Sequence, residues 1–427
     1  MTSLLPLHKG NLITTIREGV ETLYDLANDC FQRYGNRRCM GTRQFLGWKT
    51  PGKVKHFGPT NWRSFQQVGI EAHRFGAALQ AVGLVSAPEQ TNLNKITTPC
   101  RLAIFENTCA EWMIACIGAF SQSITVTTVY ATLGIDAVVE AIQDNIISAI
   151  VCNKKDVARL VEKCKSMPTL KTIIYTSDLV GPDDKITLPA APSGLKIISF
   201  EDFVASGDTA KYPPVPPKGN SCAVVMYTSG STGKPKGVVI THKEVNAVVA
   251  SADIILEVQD GQDCYLGYLP LAHILEMLAE FTMLAMGCTI AYADPRSLTT
   301  TGAYPIGALE EFQPTLMAAV PKIWDTIKKG IISKMRSGPK IVQVLFQTAF
   351  EWRTFATRHG FDTPLFNLLI FKKLKKAVGG KLRYALSGGG PLNVEVQDFI
   401  RVAFDMAFVQ GYVRLLGKMR SLLFLLL

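Results

Sequence analysis

At 427 residues, with 48% apolar and 19% charged side chains, the chain can bury a core of two or three domain-sized units, and its composition excludes a disordered polymer. A net charge of +10 favours anionic partners such as nucleotides or a negatively charged membrane surface. With no zinc-finger spacing, aromatic–basic RNA motif or basic tail, the charge does not point to nucleic acid.

In chain order, Thr22 to Tyr34 carries apolar groups at helical spacing (Leu23, Leu26, Ala27, Phe31), and Lys49 to Asn61, rich in Gly, Pro and polar residues, reads as a loop. Ser64 to Val82 reads as a helix stopped by Gly83, and Ala87 to Pro99 as another loop. From Arg101 onward strands and helices alternate. Arg101–Phe105 is a short apolar strand, Ile124–Val129 a β-branched one, and Ala149–Cys152 and Thr172–Tyr175 are strands; Glu111–Ser121, Ile135–Asp144 and Val157–Ser166 are helices. That alternation predicts an α/β fold, doubly wound, with mostly parallel sheets covered on both faces and ligands beyond the C-terminal strand ends. Tyr212 to Asn220 is a stiff, Pro-rich lead into the next strand.

The ten cysteines are scattered without a C-x-x-C pair, which fits free thiols in a reducing, intracellular setting. Met1 to Gly10 has no apolar core of signal-peptide length, and no stretch reaches the roughly 18 apolar residues needed to span a bilayer. A cytoplasmic protein, or one held peripherally at a membrane of the endoplasmic-reticulum type, is the expectation.

The densest chemical signal is Tyr227-Thr228-Ser229-Gly230-Ser231-Thr232-Gly233-Lys234-Pro235-Lys236-Gly237, set between the apolar runs Cys222–Met226 and Val238–Ile240. Glycines permit a tight turn and leave successive N–H groups open as an anion-binding nest; hydroxyls and two lysines add donors and positive charge. The spacing is not that of a Walker A loop, because Pro235 stands where the second glycine belongs. A polyphosphate is the natural ligand. A second glycine turn, Ser387-Gly388-Gly389-Gly390-Pro391, follows the strand-like Leu382–Leu386.

These blocks resemble the signature motifs of the adenylate-forming superfamily. Gly267-Tyr268-Leu269-Pro270-Leu271-Ala272-His273-Ile274-Leu275-Glu276 resembles its long-chain acyl-CoA synthetase (long-chain fatty acid–CoA ligase) branch. Ala110-Glu111-Trp112, Tyr130-Ala131-Thr132-Leu133-Gly134 and Gln410-Gly411-Tyr412 match further landmarks, so the likeness runs from about Glu21 to Tyr412. It implies ATP-dependent activation of a long-chain fatty acid through an acyl-adenylate, with Mg²⁺ as cofactor and CoA as co-substrate. Thr228, Ser229, Gly230, Ser231, Thr232, Gly233, Lys234 and Lys236 would grip the β- and γ-phosphates. Ser387 to Pro391 would lie against adenine, with Gln410, Gly411 and the Tyr412 ring on its other side. His273 would align the acid, and Glu276 would orient His273 or cap its helix. Ile274, Leu275, Leu278 and Phe281 read mainly as core, with Met277 near the gate of an acyl tunnel. Phe371-Lys372-Lys373-Leu374-Lys375-Lys376 reads as a solvated helix face, with contact to a membrane surface or to CoA phosphates as alternatives.

The pattern departs after Tyr412. Relatives continue with Gly, an apolar residue, Thr and Glu, whereas this chain reads Val413-Arg414-Leu415-Leu416 and runs on through Lys418 and Arg420 into a leucine-rich end. The glutamate that holds Mg²⁺ in the family has no counterpart, so no metal ligand is assigned. Residues 1–412 therefore read as the N-terminal part of the AMP-binding large domain, incomplete at its C-terminal end. Residues 413–427 read as an aberrant apolar and basic tail from an out-of-frame extension, lacking a turn signal, and the C-terminal lysine-bearing domain as absent. The alternative to a ligase is a non-catalytic nucleotide- or acyl-binding fragment.

Overall fold

Strands that are apolar along their whole length must be covered on both faces, and here they are. The computed structural model describes residues 14–86, 100–131, 134–228, 236–259, 261–416 and 421–426. One sheet has seven strands in the order Lys196–Ser199, Thr172–Thr176, Ala149–Asn153, Arg101–Phe105, Thr125–Thr128, Cys222–Thr228 and Lys236–Thr241. All neighbours are parallel except the last pair. Successive residues of Arg101–Phe105 enter opposite cores, Leu102 and Ile104 on one side, Ala103 and Phe105 on the other.

The second sheet has nine strands, ordered Ala303–Tyr304, Val54–Ser64, Arg38–Thr50, Thr289–Tyr292, Cys264–Gly267, Leu316–Ala319, Tyr384–Ser387, Ala407–Leu416 and Ser421–Leu426. It is parallel through its middle and antiparallel at the pairs 38–50/54–64 and 407–416/421–426. The fold is α/β with mostly parallel sheets.

One segment differs from the sequence reading. Lys49 to Asn61 is not a loop but part of a long hairpin, Arg38–Thr50 against Val54–Ser64. Its register slips between Arg43/Phe45 and Phe45/Gly47, next to Gly58 and Pro59. The loop-like composition thus marks bulges, where an unpaired residue and a missing N–H are tolerated. Beyond Tyr412 the strand Ala407–Leu416 runs on without a break, and Ser421–Leu426 pairs back onto it, Tyr412 opposite Leu425.

Helices fill the space between the sheets. Leu23–Tyr34 and Phe65–Ala81 each open with a complete capping box, Thr22/Asp25 and Ser64/Gln67. In Ala110–Phe120 every residue but Glu111 is buried. This helix lies so close to Phe65–Ala81 that a Cβ on Gly118 would stand 2.6 Å from the Ala72 carbonyl oxygen. Phe120 stacks on Phe281 of the helix Ile274–Ala285, ring centroids 6.3 Å apart, joining the helices of the two halves.

Candidate active site

The Leu269–His273 turn leaves the strand Cys264–Gly267 and is held from the other sheet. Thr108 Oγ1 donates to the Leu269 carbonyl and accepts from the Leu271 N–H at 2.8 Å. Thr128 Oγ1 donates to the Ala272 carbonyl at 3.4 Å. Thr128 lies opposite Met226, so the strand that holds the turn is the direct neighbour of the strand that leads into the phosphate loop. Thr228 and Lys236 oppose each other across the neck of that hairpin. Ser229, Gly230, Ser231, Thr232, Gly233 and Lys234 lie outside the described residues.

His273 is the N-cap of Ile274–Ala285, its Nδ1 accepting from the Leu275 N–H at 3.1 Å. Burial lowers its pKa, so the ring is neutral near pH 7. With Nδ1 accepting, the proton sits on Nε2 and leaves that atom as a donor. Glu276 neither orients His273 nor caps the helix. Its Oε2 accepts from the Tyr265 hydroxyl at 2.8 Å, and Glu280, one turn on, accepts from the Tyr292 hydroxyl at 2.7 Å. Burial pushes the Glu276 carboxyl up to about 8 and raises Glu280 strongly, so both are held neutral.

Three of the singled-out segments converge. Ser387 ends the strand Tyr384–Ser387 opposite Gln410. The Gly388 N–H donates to the Ala319 carbonyl at 3.3 Å, and a Cβ on Gly388 would lie 2.7 Å from Leu275 Cδ2 and 3.3 Å from the Gly411 oxygen. Gly389 has φ +80°, which favours glycine. The first turn of the His273 helix, the 387–391 turn and Gln410–Gly411 thus touch through backbone that only glycine allows. Ser387 Oγ is buried with no partner, Gly389, Gly390 and Pro391 are exposed, and Gln410 Nε2 donates to Gln397 Oε1 at 2.6 Å.

Behind this junction lies an apolar cavity of about 80 Å³, walled by Val248, Leu275, Leu278, Met283, Ala318 and Tyr384 among others. Met277 is fully buried and is not among its lining residues.

A second cavity, about 160 Å³ and polar, opens at the C-terminal ends of several strands. Glu106 there accepts from Thr176 Oγ1, from the Asn107 N–H at 2.7 Å and from Asn153 Nδ2 at 3.4 Å. Burial, then the charge of Asp178, pushes Glu106 up to about 8; burial, then Glu111, pushes Asp178 up to about 7. Arg43 packs 3.9 Å over the Phe57 ring with Nη1 on the Ile306 carbonyl at 2.9 Å. Glu106, Asp178 and Arg43 did not stand out in the sequence. The available signal was position: Glu106 directly follows the strand Arg101–Phe105.

The glutamate that holds Mg²⁺ in the family the sequence resembles has no counterpart here. Val413 to Leu416 stand where the family's threonine and glutamate would be. Among the described residues no cluster of three or more His, Cys, Asp or Glu side chains is placed to hold a metal ion.

Residues 47–412 match the family model of the AMP-binding enzymes. The chain belongs to the AMP-binding enzyme family. Within it, the chain is similar to "Long chain acyl-CoA synthetase 8" of Arabidopsis thaliana, 32% identical over 92% of this chain and 55% of that protein. It is likewise similar to "Long-chain-fatty-acid--CoA ligase 1" of Schizosaccharomyces pombe, 30% identical over 92% of this chain and 59% of that protein. The chain thus spans little more than half the length of these curated relatives. Among solved AMP-binding folds, the A domain of the carboxylic acid reductase from Segniliparus rugosus, in complex with AMP and a co-purified carboxylic acid, superposes with a TM-score of 0.66. That match covers 93% of this chain and 62% of the other at 16% identity, a likeness of fold. Among the described residues no helix is long and apolar enough to cross a membrane.

Proposed function

We propose that this AMP-binding chain carries the nucleotide and acyl sites of an ATP-dependent long-chain fatty acid–CoA ligase. The observation that carries this reading is the junction of Leu275, Gly388 and Gly411 with an apolar cavity directly behind it. A carboxylate is a poor electrophile because its charge repels a thiolate. Attack of one carboxylate oxygen on the α-phosphorus of ATP expels pyrophosphate and gives an acyl-adenylate. Attack of the CoA sulfur on the acyl carbonyl then expels AMP, the thiol proton passing to solvent. The first step needs charge neutralisation and in-line placement. Neutral His273, with Nε2–H free, is suited to hold a carboxylate oxygen. Ser387 Oγ and the glycine turn are suited to adenine, and residues 228–236 to the β- and γ-phosphates. Each CH₂ buried against these apolar walls contributes about 0.8 kcal/mol, which favours an acyl chain over a polar ligand. Residues 1–412 would be the AMP-binding large-domain portion and 413–427 a segment without a family counterpart, in an intracellular protein acting at or near membranes.

The missing glutamate favours a second reading, a chain that binds nucleotide or acyl group without turnover. Equilibrium binding of ATP and of a 16-carbon acid, alongside ATP–pyrophosphate exchange and acyl-CoA release, separates the two. For chain 1–427 we expect both ligands to bind, His273→Ala to weaken the acid, and no acyl-CoA above a heat-killed control. Absence of ATP and fatty-acid binding overturns both readings, and acyl-CoA release overturns the second.

A further inference from the structure

The helix Lys340–Arg358 is apolar on two sides. Its inner side is occupied. Phe350 stacks on Phe399 at 5.1 Å, and Arg353 reaches Asp405 at 3.0 Å while lying 4.2 Å over the Phe371 ring. Its outer side repeats at alternating four- and three-residue steps through Ile341, Leu345, Thr348, Trp352 and Phe355. Of these, Ile341 is 78% exposed and Trp352 58%. An ordinary surface helix shows polar residues there. The neighbouring segment, fixed by Phe371 beneath Arg353, exposes Leu365 at 65%, together with Leu368 and Leu369. It passes directly into Lys372, Lys373 and Lys376, all exposed. The exposed acids on these two segments are Glu351 and Asp362.

We propose that this face, Ile341 to Lys376, is a docking surface for an anionic phospholipid bilayer, lying in the interface and not crossing it. Leucines, an indole and a phenylalanine suit the boundary between headgroups and acyl chains, while lysines at the rim reach headgroup phosphates. A patch of bulky apolar residues exceeds what a monomer leaves in water without a partner, and the cationic rim selects a negative surface. The proposal stands apart from the adenylation reading, because lipid binding is measured without ATP.

The test is flotation of the full chain with phosphatidylcholine vesicles, with and without phosphatidylserine. The chain is expected to float with the anionic vesicles. The Trp352→Glu, Leu368→Glu double variant should remain at the bottom, with unchanged circular dichroism and Tm because both sites are exposed. Lys372→Gln with Lys373→Gln should lower the partition coefficient about 30-fold and abolish the preference for phosphatidylserine. Ile70→Glu, at an exposed apolar site on the helix Phe65–Ala81, should float like the parent. Tryptophan emission of the parent should be quenched by brominated acyl chains, and the quenching lost in Trp352→Phe, a check that requires no charged variant. A parent that ignores vesicles overturns the proposal. So do a double variant that floats undiminished and equal loss by Ile70→Glu. A dimer dissolved by Trp352→Glu without effect on flotation overturns it in favour of a second copy of this chain.

Discussion

The helices Ile274–Ala285 and Lys340–Arg358 are both rich in large apolar residues, and they settle in opposite surroundings. The first is buried on every side and carries two carboxyls into the interior, where Tyr265 and Tyr292 from adjacent strands supply a hydroxyl to each. The second buries one side against the helix Val394–Phe404 and leaves an aromatic and aliphatic stripe outside. Apolar content alone therefore does not decide where a helix goes. The neighbouring strands decide it, by offering walls on both sides and partners for whatever polar atoms come along.

Truncating equivalent rings should show the contrast at its largest. Phe281→Ala in the buried helix is expected to cost about 3–5 kcal/mol in urea unfolding, whereas Phe355→Ala should stay within about 0.5 kcal/mol. Equal costs would erase the distinction. The buried carboxyls give the next effect. Glu276 is raised to about 8 in the folded chain, so its contribution is complete below the unfolded value near 4.5 and is lost as pH rises through the folded value. Buried His242, lowered to about 3, has the opposite sign and loses its contribution as pH falls below about 6.5. Between pH 6.5 and 8 the acid side alone remains. Stability should decline there by up to about 1.4 kcal/mol per pH unit for each such carboxyl, and Glu276→Gln should flatten the slope. Tyr265→Phe removes the hydroxyl that donates to the buried Glu276 Oε2 and should cost about 1–3 kcal/mol at pH 6. The smallest effect is at the helix start. His273→Ala removes the cap on the Leu275 N–H and should cost about 1 kcal/mol. His273→Asn, which can still cap, should recover most of that stability without restoring acid binding.

The strand–helix alternation from Arg101 to Thr176 was legible because strands buried on both faces carry apolar or β-branched residues at every position between their two ends. The hairpin Arg38–Ser64 was hidden because Gly58 and Pro59 lie at its bulges and look like loop residues. The pairing of Glu276 with Tyr265 could not be read, since it depends on where an adjacent strand places a phenol. Glu106, Asp178 and Arg43 come from distant parts of the chain, and only the fold brings them to one cavity. The strand Ser421–Leu426 escaped notice because a run of leucines has no alternation to announce a strand. His273 and the glycine turn were found by motif, and their contact through Leu275 and Gly388 is what the structure adds.

On the proposed reading, the cap at His273 would couple two tasks in one ring. Because Nδ1 already faces the Leu275 N–H, adding a proton there would set donor against donor and loosen the helix entrance. The same proton would turn a singly charged-neutral contact with an acid into an ion pair. The imidazole is therefore a lock with two keyholes. On that reading, tightening the hold on an anion by protonation would release the helix that aims the ring, so alignment and grip could not be maximised together.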